Sequence, residues 1–328
     1  MTLSHDGDRA VADPSRRTVT VVLGAGGLLG GAVARAVDRD ARLLRLVAPP
    51  VPWSRPDEAV RVLADVAREV AGRERWQVLW CAGAGVTGMT PAAGETELAV
   101  FRAFAQALGA VASPGAGTLF VASSAGGVLA GSAPAPFDEG TVAAPLSEYG
   151  RVKLRLEDAA RELATTSDVA VLVGRYANLY GPGQDLGKQQ GLVSHLCLGA
   201  IERRPVSIFV PLDTLRDYLF VDDAARRTLV TLDAFRASGL REATKIFASG
   251  TSSTVATVIG RVAAAVGRRP PIVLGSSPLT SLQARDLRMT SRVLTEADVM
   301  PTTPLGTGIA ATHADLFRRF VASGRRHH

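Results

Sequence analysis

Three groups of residues in this chain have types and spacings that can act together chemically. Tyr149 and Lys153 stand four positions apart, so on a helix they share one face. A phenol titrates near 10 and is a poor acid or base at neutral pH, but an ammonium beside it stabilises the phenolate. Such a pair can pass a proton to or from a hydroxyl or a carbonyl. Ser123 and Ser124 come about 25 residues earlier. A serine there can hydrogen-bond the reacting oxygen, with Ser124 the first candidate and Ser123 the reserve. The third group is Gly24, Gly26, Gly27 and Gly30, with Leu28 and Leu29 inside it. Residues without a Cβ allow a tight turn and the close approach of a pyrophosphate, and a helix opening there offers its N–H groups. Hydride transfer with a nicotinamide cofactor is the chemistry this set would serve.

The elements around these residues are positioned for that task. Thr18 to Leu23 is a continuous apolar, β-branched run ending in the glycines, which reads as a strand buried on both faces. Further strands are expected at 41–47, 77–81, 118–123 and 169–174, and helices at 31–39, 57–71, 95–111 and 148–163. Alternation at this spacing predicts an α/β fold, a Rossmann-type doubly wound parallel sheet. The serines then end a strand, and the Tyr–Lys pair opens a helix. After about 176 the elements shorten. Helices are expected at 189–201, 222–236, 253–266 and 307–321, with strands near 206–210, 217–221, 244–248 and 271–274. This texture predicts a smaller C-terminal substrate-binding lobe. The expected division is a flexible tail over 1–16, an NAD(P)-binding domain over 17–175 plus about 212–250, and the lobe over 176–211 and 251–328.

The 328 residues are 47% hydrophobic and 21% charged, a globular composition that excludes a disordered or fibrous chain. The net charge is +6, but arginines are interspersed with acids, as at Arg35, Asp38, Arg39 and Asp40. No basic run or aromatic-basic interleaving suggests nucleic acid, and the excess suits an anionic small molecule. No apolar run approaches the roughly 18 residues of a membrane span. The polar start is not a signal peptide, so a cytoplasmic location is expected. Cys81 and Cys197 lie in apolar surroundings and read as buried reduced thiols. No Cys/His cluster has metal spacing. The chain has three lysines, Lys153, Lys188 and Lys245, so the place of each is informative.

Cofactor choice turns on the end of the second strand, where a carboxylate normally holds the ribose 2′-hydroxyl of NAD. Val47, Ala48 and Pro49 stand there, and Asp57 and Glu58 lie beyond the prolines. Nothing repels a 2′-phosphate, and Arg45 or Arg55 can attract one. NADP is therefore the expected cofactor, with NAD the alternative.

Taken together, these features resemble the extended short-chain dehydrogenase/reductases, in the nucleotide-sugar epimerase and ketoreductase branch. The branch's G-x-x-G-x-x-G is matched by Gly24, Gly27 and Gly30, its Y-x-x-x-K by Tyr149 and Lys153, and its strand-ending serine by Ser124. More specific are Arg175-x-x-Asn178-x-Tyr180-Gly-Pro-Gly, then Gln190-Gly191-Leu192, Phe209, Arg216-Asp217-Tyr218 and Val221-Asp222-Asp223. The resemblance implies a cofactor site that also takes in Cys81, Ala82, Tyr149, Lys153 and Tyr176. It implies a nucleotide-diphosphate sugar held by Asn178 and Arg216 at the diphosphate, with Arg285 as a further arginine there. Gly191, Leu192 and Phe209 would lie at the nucleobase end, and the assembly would be a homodimer. The competing readings are a bridge from Arg216 to Asp217 or Asp222, and a core role for Phe209.

Three departures from the branch matter. Val128-Leu129-Ala130-Gly131 replaces its V-Y-G, which leaves Ser123 and Ser124 both open. A third strand carrying an aspartate is not evident. Ala125-Gly126 stands where 4,6-dehydratases carry Asp-Glu, which argues against dehydration. The expected function is NADPH-dependent reduction of a nucleotide-linked keto-deoxysugar. The alternative is an NAD-dependent 4-epimerase. A lesser one is a non-catalytic cofactor-binding regulator, a class that commonly loses the tyrosine or lysine retained here.

Overall fold

An apolar run without polar alternation makes a strand that must be covered on both faces, and this chain supplies several in succession. The computed structural model describes residues 17–323, apart from 84, 87, 114, 116 and 189 and the side chains of 278 and 279. The expected tail over 1–16 lies outside the described residues. In chain order come β1 (Thr18–Leu23), α1 (Leu28–Arg39), β2 (Leu43–Arg45), α2 (Pro56–Ala71) and β3 (Trp76–Trp80). Next are α3 (Pro91–Val111), β4 (Gly117–Ser124), the single turn α4 (Ala125–Val128), α5 (Glu148–Thr166) and β5 (Ala170–Tyr176). Then follow β6 (Asn178–Tyr180), α6 (Leu192–Glu202), β7 (Val206–Ile208), β8 (Leu215–Phe220), α7 (Val221–Ser238) and β9 (Glu242–Phe247). The chain closes with β10 (Ser252–Thr254), α8 (Val255–Val266), β11 (Ile272–Leu274), β12 (Asp286–Leu287) and α9 (Leu305–Ala322).

Six strands pair in parallel in the order β2-β1-β3-β4-β5-β9. Strand alternation divides their side chains between two cores. Val21, Val78, Leu119, Val121 and Val173 pack under α2, α3 and α5. Val22, Leu79, Phe120, Leu172 and Phe247 pack under α1 and α7. The doubly wound α/β sheet expected from the sequence is therefore present. A third core, with Val193, Leu196, Val258, Val262 and Ile309, lies among α6, α8 and α9.

Two features differ from expectation. The second strand is only three residues long and forms the sheet edge, with no strand outside it among the described residues. Pairing with β1 reaches Leu46, whose N–H donates to the Thr20 carbonyl at 2.9 Å, and Pro49, Pro50 and Pro52 beyond it have no N–H with which to extend the ladder. The linker instead folds back, and Trp53 meets Trp80 edge to face at 5.9 Å. Strand β8, expected within the cofactor domain, belongs to a smaller sheet. There it lies between β10, which is antiparallel to it, and β12, which is parallel, and β6 also pairs with it in parallel. Helix α7 and β9, from the same stretch of chain, do belong to the large layer.

Helix α5 is tied to the sheet by a buried ion pair. Glu157 is fully buried, and Arg175 of β5 donates to it from Nε at 3.0 Å and from Nη2 at 2.7 Å. Ser123 of β4 donates to the same carboxylate at 2.6 Å. At the other edge, Lys245 of β9 is wholly buried and donates to Ser291, to the Val293 carbonyl and to Asp298, each at 2.9 Å. Lys245 thus anchors the segment before α9 to the sheet.

Removing one partner of a buried pair leaves the other charge uncompensated, at a cost of about 3–5 kcal/mol. Glu157→Gln is expected to lower the unfolding free energy by about 3 kcal/mol in urea titration. Adding Arg175→Met to that variant is expected to recover most of the loss, because the orphaned charge goes with it.

Candidate active site

The order β2-β1-β3 makes the chain leave β1 and β3 toward opposite faces, which opens a crevice at their carboxyl ends. The glycine turn fills it from one side and Cys81-Ala82-Gly83 from the other. Gly24 has φ +86°, and a Cβ on it would lie 2.6 Å from the Ala82 nitrogen. A Cβ on Gly30 would lie 2.1 Å from the Gly24 carbonyl oxygen. These two glycines are required by packing within the chain. Gly26 is different: it is exposed and has nothing within 4 Å of a built Cβ. Gly27 caps α1 without a side-chain hydrogen bond, and the first turn, with Leu28 and Leu29, carries no acid. An uncapped helix N-terminus above open space fits a pyrophosphate.

The phenol lies beside this crevice. Ser147 caps α5, its hydroxyl accepting from the Gly150 N–H at 3.2 Å. Tyr149 therefore sits in the first turn, with Lys153 one turn further on. The Tyr149 ring is wedged between two glycines. A Cβ on Gly85 would lie 2.8 Å from Cδ2, and one on Gly127 would lie 2.9 Å from Cε1. The same Gly127 position is 3.3 Å from the Ser124 Cβ, so Tyr149 and Ser124 flank one glycine. The Ser124 hydroxyl accepts from the Gly127 N–H at 3.1 Å, which leaves its own proton to donate. Ser123, by contrast, points to the α5 face and its hydroxyl is engaged by Glu157. Strand parity separates the two serines.

Lys153 is buried, with its Nζ 5.8 Å from the Tyr149 ring centroid. It donates to Glu97 of α3 at 3.0 Å. Burial works against the ammonium, but Glu97 and Tyr149 outweigh it and hold the Lys153 pKa above its ordinary value. Glu97 was missed in the sequence, since it lies 56 positions from Lys153 on a helix without a motif. The Lys188 Nζ reaches the Gly83 carbonyl at 3.4 Å. Two of the three lysines thus meet at Gly83, where a Cβ would lie 2.9 Å from the Lys153 Nζ. Burial pushes the Cys81 thiol up to about 12, partly opposed by Lys153, so Cys81 stays protonated and only lines the crevice. Tyr176 differs from expectation. Its ring stacks on Phe247 at 4.7 Å, and its hydroxyl is bonded to Thr228 at 2.5 Å in the α7 core. Its side chain is therefore not offered to a cofactor.

The smaller sheet assembles the other expected residues. Asn178 is in register with Tyr218, and Arg216 is two residues along β8 on the same face. Arg216 is 8% exposed, and its Nη1 donates to the Leu215 carbonyl at 2.8 Å. No described carboxylate lies within 4 Å of it. Burial pulls its pKa below the ordinary value, with Tyr218 and Asp286 opposing. Both rival partners are engaged elsewhere. Asp217 accepts from the Ser249 and Gly250 N–H groups at 2.7 and 2.9 Å, and Asp222 pairs with Arg35. Gly191 caps α6 at φ +96° beside Gln184, and Leu192 begins that helix. Phe209 is 44% exposed and packs over Gly275, so it is not a core residue. Arg285 is exposed and pairs with Asp213, while its carbonyl accepts from Leu215 at the start of β8.

At the adenosine end, no carboxylate follows β2. Arg45 is bound to Asp38 at 2.6 Å, however, and Arg55 to Glu58 at 2.8 Å. Neither guanidinium stands free as the sequence suggested. Among the described residues no group of three His, Cys, Asp or Glu side chains can hold a metal, and no helix is long and apolar enough to cross a membrane.

A family model described as the NAD dependent epimerase/dehydratase family matches residues 20–246. The chain is 26% identical over 110 residues to dTDP-4-dehydro-6-deoxyglucose reductase of Escherichia coli, covering 34% of this chain and 35% of that protein. It is 31% identical over 137 residues to dTDP-L-rhamnose 4-epimerase of Burkholderia thailandensis, covering 40% and 36%. These alignments span little more than a third of either relative. In fold it is similar to the UDP-glucose 4-epimerase complex with NAD of Thermus thermophilus. That match has a TM-score of 0.74 and 20% identity, over 92% of this chain and 99% of that one. It is similar also to RMD from Pseudomonas aeruginosa complexed with NADPH, at TM-score 0.73 and 22% identity over 92% and 98%.

The wedge around Tyr149 is testable without touching its hydroxyl. A methyl at Gly127 displaces the ring or Ser124, and misplacing a reacting group by about 1 Å costs on the order of 10²-fold in rate. Gly127→Ala is expected to lower kcat by about that factor with far less change in KM, measured by steady-state kinetics.

Proposed function

The chain belongs to the NAD dependent epimerase/dehydratase family, and within it we propose a reductase that takes NADPH and a nucleotide-diphosphate keto-deoxysugar. The observation that carries the substrate class is Arg216, a buried guanidinium with no described carboxylate within 4 Å and only the more distant charge of Asp286 opposing its burial. Leaving such a charge unmatched is costly, and a diphosphate answers it with bidentate geometry. Asn178, on the same face of the small sheet, adds a neutral donor beside it. Phe209, half exposed above Gly275, offers a ring for a nucleobase.

The cofactor is held at its pyrophosphate by Gly26, Gly27 and the first turn of α1. The reduced nicotinamide supplies a hydride when bound. Tyr149 gives its hydroxyl proton to the substrate oxygen, and Ser124 donates to that oxygen and steadies it as charge develops. Lys153 lies beside the phenol as the fixed cation.

NADP is favoured because no acceptor for a ribose 2′-hydroxyl follows β2. Arg45 is the nearest strand-end cation, and a 2′-phosphate binds it by displacing Asp38. The second reading is a 4-epimerase retaining NAD. It is favoured by the Asn178-x-Tyr180-Gly-Pro-Gly stretch and by the similarity to an epimerase over 137 residues.

Two measurements test this reading. Arg216→Ala is expected to weaken binding of the nucleotide sugar by about tenfold to a hundredfold while leaving cofactor affinity almost unchanged. Calorimetric titration with each ligand separates the two effects, and an equal loss of both assigns Arg216 to the scaffold. Parallel titration with NADPH and NADH is expected to favour NADPH by about tenfold or more. Tighter NADH binding, or NAD carried through purification, moves the reading to the epimerase.

A further inference from the structure

Lys153 is enclosed by groups from several elements. Glu97 faces it from α3, Tyr149 from α5 and the Cys81 thiol from the end of β3, while Lys188 comes over from the loop before α6 to the Gly83 carbonyl. Of these, Glu97 lies closest. Its carboxylate accepts from the ammonium at 3.0 Å, and the side chains are 7% and 13% exposed. Gly83 seals the pair from above: a Cβ there would lie 2.9 Å from the Lys153 Nζ and 3.1 Å from the Glu97 Oε1. The backbone lies directly on the ion pair and leaves little room for water to screen it.

The charges then decide which form of Tyr149 is favoured. Ammonium, carboxylate and neutral phenol sum to zero. Ionising the phenol leaves one net negative charge beside a buried ion pair, where charges interact more strongly than in bulk water. Without the carboxylate, ammonium and phenolate would themselves be neutral together. Cys81 adds no charge, because burial keeps its thiol protonated. The Lys188 ammonium makes its contact with the Gly83 carbonyl, at 3.4 Å, and not with the carboxylate or the phenol.

We propose that Glu97 is a positioning residue acting through Lys153: it fixes the ammonium beside Tyr149 and, by neutralising it, holds the phenol in its proton-donating form. This inference rests on Tyr149 being the proton-transferring group, as in the reading above. In reduction the phenol O–H bond breaks as the substrate O–H bond forms. The electron pair arrives as the hydride, and water returns the proton to the tyrosinate. A protonated phenol is the form that this direction consumes. Alcohol oxidation needs the phenolate, so Glu97 disfavours that direction.

The test is a spectroscopic pH titration of tyrosinate absorbance on the purified full chain. The chain has four tyrosines. Burial pushes Tyr218 up to about 12, and Tyr176 and Tyr180 are also raised by burial. The Tyr149 signal is identified by its loss in Tyr149→Phe. Glu97→Gln keeps the size and the acceptor oxygen but removes the charge. It is expected to move the Tyr149 midpoint to lower pH by about one unit, raising the phenolate fraction about tenfold at a given pH. Glu97→Asp retracts the carboxylate by one methylene and is expected to move the midpoint the same way by less. The basic limb of the pH–rate profile should follow. A midpoint that stays put, or moves to higher pH, in whichever variant folds overturns the proposal. No sugar is present in this titration, so a wrong substrate assignment leaves its outcome unchanged.

Discussion

Between β1 and β3 the chain leaves the sheet toward opposite faces, and everything in the candidate site depends on the crevice this creates. Two strand ends must approach there with almost no side-chain volume. A Cβ on Gly24 would strike Ala82, and one on Gly30 would strike Gly24. That close packing holds the uncapped start of α1 open to an anion, with Cys81 to Gly83 as the opposite wall. Tyr149, Ser124, Lys153 and Lys188 are then arranged around the wall. Gly83 lies against Lys153 and accepts from Lys188, and Gly85 and Gly127 clamp the Tyr149 ring.

Three buried cations are each met by a carboxylate. Arg175 is matched by Glu157, Lys245 by Asp298 and Lys153 by Glu97, each through a hydrogen-bonded contact. Arg227 places its guanidinium on two carbonyls, those of Ala248 and Met300. Arg216 stands apart, bonded to one carbonyl and, among the described residues, with no carboxylate within 4 Å, although Asp286 lies near enough to act on its charge. These three pairs hold α5 to the sheet, the segment before α9 to the sheet, and α5 to α3.

The adenosine end shows how a short local change alters a site. Pairing of the edge strand β2 with β1 reaches Leu46, and three prolines within four residues, Pro49, Pro50 and Pro52, cannot extend it. The linker is then free to lay Trp53 against Trp80, and no outer strand covers it among the described residues. The surface facing a ribose there carries arginines already paired with acids, not the carboxylate that usually ends the second strand.

The large layer was legible from sequence because its signals are local. Runs such as Thr18 to Leu23 and Thr118 to Ser123 declare buried strands, and a four-residue spacing puts Tyr149 and Lys153 on one face of a helix whatever surrounds them. The short elements β6, β10 and β12 were not legible, since two or three residues show no period and their pairing to β8 is entirely long-range. Neither was the choice between Ser123 and Ser124, which depends on strand parity at the β4 end and on where Glu157 falls one turn beyond Lys153. Glu97 could not be read at all. Its contact with Lys153 exists only because α3 and α5 pack side by side on the same face of the sheet. Residue types and spacings determined by themselves which groups could transfer a proton and cradle a phosphate. Tertiary packing alone decided which charges were paired with an opposite one and which were not, because that depends on distances between residues remote in the chain.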